Sequence, residues 1–343
     1  MSARRLVVDL AATRPVWRAP AAFIAGLREG APAGWEVVEV AAPVNSDGDG
    51  SSGSAEAVAV CRGAEVYIGY GLPPAVVEAA RGTLRWAHSA AAGVSASLGD
   101  ALGSSGVIFT NSAGVHAEPM AEWAVGAVLH FFRGIDRQVR AQAAGLWGKD
   151  ELTALPVVMR EVAGARVVVY GLGGIGAAVA RRLVALGAAV RGVRRRPERG
   201  GPPGVEVLGS DRLAAALEGA EVLVVAAPLT AGTRGALGAA ELARLARGAV
   251  VVHLSRGKVL DEEALLAALA AGRVGAAALD VFAEEPLPAG HAFWSHPRVL
   301  VSPHVSAVTT RFWERELGLI VENIRRYLAG APLRNVVDLE AGY

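Results

Sequence analysis

The sequence predicts an α/β protein built of two doubly wound domains, each a parallel sheet with helices on both faces. Three observations predict it. Short β-branched runs alternate with Ala- and Leu-rich helical stretches almost throughout. The runs fall into two successive series, which implies two sheets. At 343 residues, with 52% apolar and 20% charged side chains, the chain is long enough for two ordinary cores.

In the first series, strands are expected at residues 6–10, 35–40, 65–70, 84–88 and 107–110. In the second they are expected at 166–170, 189–193, 205–208, 222–226, 250–254, 276–280 and 299–301. Residues 45–54 are polar and rich in Gly and Ser, and read as a mobile surface loop. The amphipathic stretches 120–133 and 317–328 read as helices crossing between domains. The first domain would then comprise residues 1–116, completed by 306–343, with 117–305 inserted as the second. The chain ends soon after its last helical stretch, so no appended regulatory domain is expected.

Composition excludes several classes. A net charge of +1 supplies no field to draw the chain to nucleic acid or a membrane. Residues 6–12 follow Arg4 and Arg5, but Asp9 interrupts them and the run is too short for a signal peptide. No stretch reaches the ~18–20 apolar residues of a membrane helix. The single cysteine, Cys61, forms no internal disulfide and suits a reducing compartment, so a cytoplasmic location is expected. Cys61 and the His291/His296 pair make no metal site.

Residues 167–170 lead into Gly171-Leu172-Gly173-Gly174-Ile175-Gly176 and then an Ala/Leu helix. A G-x-G-x-x-G between strand and helix is the context that dinucleotide binding needs. Gly171 permits the tight turn, Gly173 admits a pyrophosphate, and Gly176 lets helix and strand pack closely. An acidic residue about 20 positions on would hold the ribose 2′-OH of NAD. This chain has Arg194, Arg195 and Arg196 there instead. A carboxylate repels a 2′-phosphate whereas a guanidinium grips it, so NADP is expected, with NAD left open.

Three later segments carry candidate chemistry: Ser255-Arg256-Gly257, Asp280-Val281-Phe282 running to Glu284-Glu285-Pro286, and Ser302-Pro303-His304. Each follows a predicted strand, at the edge where open α/β sheets bind ligands. With the glycine turn they resemble the D-isomer-specific 2-hydroxyacid dehydrogenase family. The resemblance spans essentially the whole chain. It takes in Ala92-Gly93-Val94, Asn111-Ser112-Ala113-Gly114-Val115, Glu118, Ala121-Glu122, Pro228-Leu229-Thr230 with Thr233, and Leu260-Asp261-Glu262.

The resemblance implies a Rossmann cofactor domain inserted into a flavodoxin-like substrate domain. It implies an NAD(P)-dependent enzyme that interconverts a small 2-oxo acid and its D-2-hydroxy acid. Arg256 would bind the substrate carboxylate or carbonyl, His304 would be the general acid/base, and Glu285 would hydrogen-bond and orient His304. Asp280 would lie beside the nicotinamide. Ala227, Pro228, Thr233 and Ser255 would line the cofactor, and backbone near Tyr70-Gly71 and Gly93-Val94 would hold the substrate carboxylate. Family members imply a homodimer, with residues 120–133 a candidate interface element. Arg194–Arg196 and the compact length look most like the family's glyoxylate and hydroxypyruvate reductases.

Ser95 and His253 depart from common family residues, where Asp and Asn are frequent, and bear on substrate choice. Other readings stay open. Some relatives are dinucleotide-sensing corepressors, so an NADP(H)-sensing binding protein with negligible turnover is the alternative. A hydrolase is disfavoured because His253 stands where the G-x-S-x-G elbow needs Gly. No Tyr is followed by Lys four positions on, as a short-chain reductase requires.

Overall fold

A computed structural model describes residues 4–46, 53–154, 159–340 and 342. Of the polar stretch 45–54, residues 47–52 lie outside the described residues. The chain separates into two compact units, Met1–His116 with Val308–Tyr343, and Ala117–Ala307.

Among the described residues the first unit holds one sheet of five parallel strands. They are β1 (Arg4–Asp9), β2 (Trp35–Glu39), β3 (Val66–Gly69), β4 (Trp86–Ser89) and β5 (Ile108–Asn111). Their spatial order, β2-β1-β3-β4-β5, is the flavodoxin-like one. Period-two alternation explains why both faces are covered. Leu6, Val8, Val66, Ile68 and Trp86 enter a core with helix Ala21–Gly30 and helix Phe312–Leu328. Val7, Tyr67, Ala87 and Phe109 enter the opposite one.

Among the described residues the second unit holds seven parallel strands. These are β6 (Arg166–Tyr170), β7 (Ala189–Arg194), β8 (Val205–Gly209), β9 (Val222–Val225), β10 (Ala249–His253), β11 (Val274–Leu279) and β12 (Val299–Val301). Their order is β8-β7-β6-β9-β10-β11-β12. That is the Rossmann order with a seventh strand added. Val167 and Val169 face one core while Val168 and Tyr170 face the other. The central strands β9 and β10 accordingly read as nearly continuous apolar runs, whereas β7 and β8 toward the edge carry Arg191 and Glu206.

All twelve strands stand where the sequence expects them, with bounds moved by two residues at most. The two crossing helices do not cross. Residues 120–133 belong to helix Ala117–Phe132, wholly in the second unit, and 317–328 to helix Phe312–Leu328, wholly in the first. Each helix has an apolar stripe that only one core can bury. Ala121, Ala124, Val128 and Phe132 join the core around β6 and β9, whereas Ile320 and Ile324 join that of β1 and β3. Among the described residues no helix is long and apolar enough to cross a membrane.

Candidate active site

The chain order of the second sheet reverses between β6 and β9, and ligands of open α/β sheets bind at such a switch point. The glycine turn lies there. Gly171 has φ 97°, and a Cβ on it would sit 2.3 Å from the Ala227 nitrogen just beyond β9. A Cβ on Gly176 would sit 1.9 Å from the Gly171 carbonyl oxygen, so the helix Gly174–Ala185 starts directly against the turn. Above Gly173 the space is open, with nothing within 4 Å of such a Cβ. Tight at the first and third glycines and open at the second, the turn fits a pyrophosphate at the helix N-terminus.

The remaining candidates follow along the same edge. Leu172 is buried and packs its side chain toward Gly192 and Gly201, while Gly174 and Ile175 form the first helical positions. Arg194 ends β7, half-buried, with Nη1 donating to the Gly200 carbonyl at 2.7 Å. Arg195 and Arg196 beyond it are exposed. Ala227 is buried beside Gly171 and Pro228 is exposed. The Thr233 hydroxyl donates to the Pro228 carbonyl at 2.6 Å and accepts from the Thr230 N–H at 2.8 Å, folding the loop after β9.

Arg256, Glu285 and His304 lie beyond the ends of three adjacent strands, β10, β11 and β12. His304 Nδ1 meets Glu285 Oε2 at 2.8 Å, and Glu285 Oε1 accepts the Phe282 N–H at 2.9 Å. The pair is open to solvent, with side chains 44% and 36% exposed. With Nδ1 engaged, Nε2 is the nitrogen left for proton transfer. Burial acts to raise the Glu285 carboxyl. The His304 and Phe282 hydrogen bonds, with the positive charges of His304 and Arg256, outweigh it and hold Glu285 below the ordinary carboxylate range.

A backbone contact brings the Arg256 and Glu285 loops together. A Cβ on Gly257 would fall 1.9 Å from the Phe282 carbonyl carbon, so only glycine lets the two main chains touch. The Ala283 N–H donates to Glu262 Oε1 at 2.8 Å, tying the second loop to the helix that follows the first. Arg256 is exposed, with Nη1 donating to the Ser255 carbonyl at 2.7 Å.

Beneath this surface His253 ends β10, 2% exposed, and neither ring nitrogen has a hydrogen-bond partner. Burial pushes its imidazole down to about 4, against smaller opposing influences from the backbone of Gly257, Arg256 and Val225 and the charge of Glu285. It is neutral at physiological pH. The Ser255 hydroxyl is also buried without a partner.

Asp280, just past β11, is fully buried, and its carboxylate accepts from Ser302, Val305 and Ser306. Sequence reasoning missed both serines as site residues, although Ser302 and Ser306 bracket His304 at two positions on either side.

In the first unit, Tyr70-Gly71 and Gly93-Val94 follow β3 and β4 at the corresponding C-terminal edge. The Tyr70 ring is buried and its hydroxyl donates to the Trp17 carbonyl. Gly71 has φ 103°, and Val94 is buried. Among the described residues no group of three His, Cys, Asp or Glu side chains could hold a metal. Cys61 is free and buried, its thiol pushed up to about 12 chiefly by burial.

Comparison with known proteins places this geometry. The sequence model described as "D-isomer specific 2-hydroxyacid dehydrogenase, NAD binding domain" matches residues 125–306, more than half the chain. A glyoxylate/hydroxypyruvate reductase A of Serratia proteamaculans is 35% identical over 281 residues, 79% of this chain and 85% of that one. The namesake of Yersinia enterocolitica is 37% identical over 225 residues, 65% and 68% of the two chains. Among solved structures, a D-isomer specific 2-hydroxyacid dehydrogenase of Xanthobacter autotrophicus, in complex with NADPH and MES, is similar. Its TM-score is 0.79 at 33% identity, covering 99% of this chain and 100% of that one. An NADPH-dependent glyoxylate/hydroxypyruvate reductase of Sinorhizobium meliloti, in complex with NADP and sulfate, reaches 0.77 at 28% identity, covering 99% and 100%. The switch-point glycine turn, the family-model match over more than half of the chain and the structural matches over nearly its full length lead to one conclusion: the chain belongs to the D-isomer-specific 2-hydroxyacid dehydrogenases, a family of NAD(P)-dependent oxidoreductases.

Proposed function

We propose that the protein reduces a small 2-oxo acid to the D-2-hydroxy acid with NADPH, and that glyoxylate or hydroxypyruvate is the type of substrate. The observation that carries the reading is the His304–Glu285 pair at 2.8 Å, drawn from the ends of β12 and β11, beside that of β10 with Arg256 and along the edge from the glycine turn. The nicotinamide, when bound, supplies the hydride. Arg256 holds the substrate carboxylate through its planar fork. His304 gives the Nε2 proton to the carbonyl oxygen as negative charge develops there, and Glu285 stabilises and orients the imidazolium before transfer.

Arg194, Arg195 and Arg196 support NADP over NAD, as do relatives crystallised with NADPH and NADP. The reductases among the relatives support the substrate type. A homodimer is part of the proposal. Val139, Leu146 and Trp147 of the second unit are 53%, 66% and 89% exposed, apolar side chains of the kind that a second copy would cover.

The test is a panel of 2-oxo acids, including glyoxylate, hydroxypyruvate and phenylpyruvate, assayed with NADPH and NADH. Turnover of a small 2-oxo acid with NADPH preferred is the expected result. Tight NADPH binding with no turnover of any panel member would overturn it in favour of a dinucleotide sensor. In the same assay Arg194→Asp should weaken NADPH at least tenfold more than NADH, about 1.4 kcal/mol of discrimination. Equal losses would mean that these arginines do not read the 2′-phosphate.

A further inference from the structure

Asn335 stands in the left-handed region at φ 57°, and among the described residues His304 is the only other non-glycine residue with positive φ. Asparagine tolerates this conformation through its short polar side chain. Beyond it Val336 bridges Thr110 in antiparallel sense, and the Val337 N–H donates to the Phe109 carbonyl at 2.8 Å. The Val337 side chain is buried in the same core as Phe109. Residues 335–337 thus cover the outer edge of β5, the last strand of its sheet. Asn335 itself meets Asn111, where β5 ends. The Asn335 carbonyl accepts the Asn111 N–H at 3.1 Å. Its Nδ2 donates to the Asn111 carbonyl at 3.1 Å and the Ala113 carbonyl at 2.8 Å, which uses both amide hydrogens on main chain.

The buried Asn111 side chain passes this hold on to the loop after β4. Its Oδ1 accepts the Ala113 N–H at 3.1 Å, and its Nδ2 donates to the Ala92 carbonyl at 2.9 Å. The Ser112 N–H donates to the neighbouring Ala91 carbonyl at 3.2 Å. Gly93 and Val94 come next, the segment implied in holding the substrate carboxylate. On its far side the Ser97 N–H donates to the Val94 carbonyl at 2.9 Å. The buried Ser97 hydroxyl accepts the Leu72 N–H at 2.9 Å, which joins this loop to Tyr70-Gly71. A loop outside helix and sheet keeps its N–H groups aimed only while its carbonyls are anchored, and here the anchor is the corner at 111–112.

We propose that Asn111 and Asn335 are positioning residues for the substrate: residue 335 braces the corner at Asn111, whose amide holds the Ala92 carbonyl and so fixes Gly93-Val94 as one wall of the carboxylate pocket. Both asparagines act through the loop, by the place they give its N–H groups. The proposal rests on the reading of the protein as a 2-oxo acid reductase with Gly93-Val94 at the substrate.

Asn335→Gly is the sharpest variant. Glycine suits φ 57° without strain, so a residue that served only the turn would lose nothing by the change. Without the amide the Asn111 and Ala113 carbonyls lose their donor, and the KM for the 2-oxo acid at saturating NADPH should rise about fivefold. The kcat should stay within about twofold of the parent's, because a grip released equally in ground and transition states alters binding alone. Asn111→Asp keeps the shape but sets a carboxylate against the Ala92 carbonyl, and should raise KM about tenfold or more. The NADPH Kd should stay near that of the parent in both variants. Amide exchange at residues 92–95 should quicken in both, which reads the loop without substrate. Asn335→Gly carries the test if Asn111→Asp does not fold.

Combined, the two changes should raise KM little more than Asn111→Asp alone, since Asn335 acts only through that corner. A parental KM in folded Asn335→Gly would overturn the proposal, whatever the exchange pattern. So would a loss confined to kcat, a fall in NADPH affinity as large as the rise in KM, or effects that multiply in the double variant. The parent protein separates this idea from the reading beneath it. No turnover of any 2-oxo acid by the parent removes the carboxylate pocket and the brace with it, whereas an active parent beside variants of parental KM overturns the brace only.

Discussion

Each unit of this protein contains a His–Glu pair, and the two are nearly the same length. His304 Nδ1 and Glu285 Oε2 are 2.8 Å apart, and His88 Nε2 and Glu316 Oε1 are 2.9 Å apart. The second pair even has a serine: Ser112 Oγ lies 2.9 Å from the same Glu316 oxygen and 3.3 Å from His88 Nε2. As a list of residues it reads like a nucleophile, a base and an acid. Its side chains are 0% exposed, however, against 44% and 36% for the other pair. No substrate atom reaches a group that water does not reach. His88 sits inside β4, with Nδ1 on the Thr110 hydroxyl of β5 at 2.8 Å, and Glu316 projects from helix Phe312–Leu328. The buried pair stitches that helix to the sheet, while the exposed pair, proposed above for proton transfer, stands beyond the strand ends of the second sheet. Position in the fold, rather than pair geometry, separates chemistry from architecture.

The comparison breaks most readily at His304. His304→Gln should cut kcat by about 10²–10⁴-fold, the range for loss of a general acid, while leaving the NADPH Kd within a few-fold. Steady-state rates and cofactor titration would measure both, and a variant of full activity would put the two pairs on an equal footing. His88→Leu should act on stability instead. Removing one partner of a buried pair typically costs about 3–5 kcal/mol, because the other is left uncompensated. Glu316 Oε2 already lacks a partner, which leaves little else to absorb the loss. Denaturant unfolding should show that cost, with kcat of the folded fraction unchanged. The double variant with Glu316→Leu should recover most of it.

His253 sharpens the contrast further, as a buried imidazole without any side-chain partner. Its folded value of about 4 lies below the ordinary 6.5, so the unfolded chain takes up the proton first as pH falls. Its contribution is therefore fully present above pH 6.5 and is lost as pH falls to about 4, by about 3 kcal/mol in all. His253→Asn should flatten the pH–stability profile by that amount across this window. Parallel profiles for parent and variant would show that His253 is not buried as a neutral ring.

The sequence disclosed the fold almost completely, because central strands such as β9 and β10 write themselves as short apolar runs and the glycine turn after β6 marks where the next helix begins. Arg256, Glu285 and His304 stood out because each follows a strand, and a parallel sheet places all strand ends along one edge. The buried polar contacts were not legible. Residues 88, 112 and 316 are far apart in sequence, and nothing local to any of them says that they meet. Asp280 was visible as an acid at a strand end, but the direction a carboxylate faces depends on where N–H groups converge, which only the folded turn determines. The helices at 117–132 and 312–328 were likewise visible as amphipathic, but a stripe does not name the core that will bury it.

Gly257 rests against the main chain of Phe282, and that contact has a bearing on how such an enzyme changes over generations. Main chains are the same whatever residues they carry, so the side chains around Arg256 can be exchanged without altering the separation of its loop from the loop that carries Glu285. Side chains lining the pocket can then be exchanged while the spacing of the two loops is kept, and Gly257 is a position closed to such exchange, because a Cβ there would meet the Phe282 main chain.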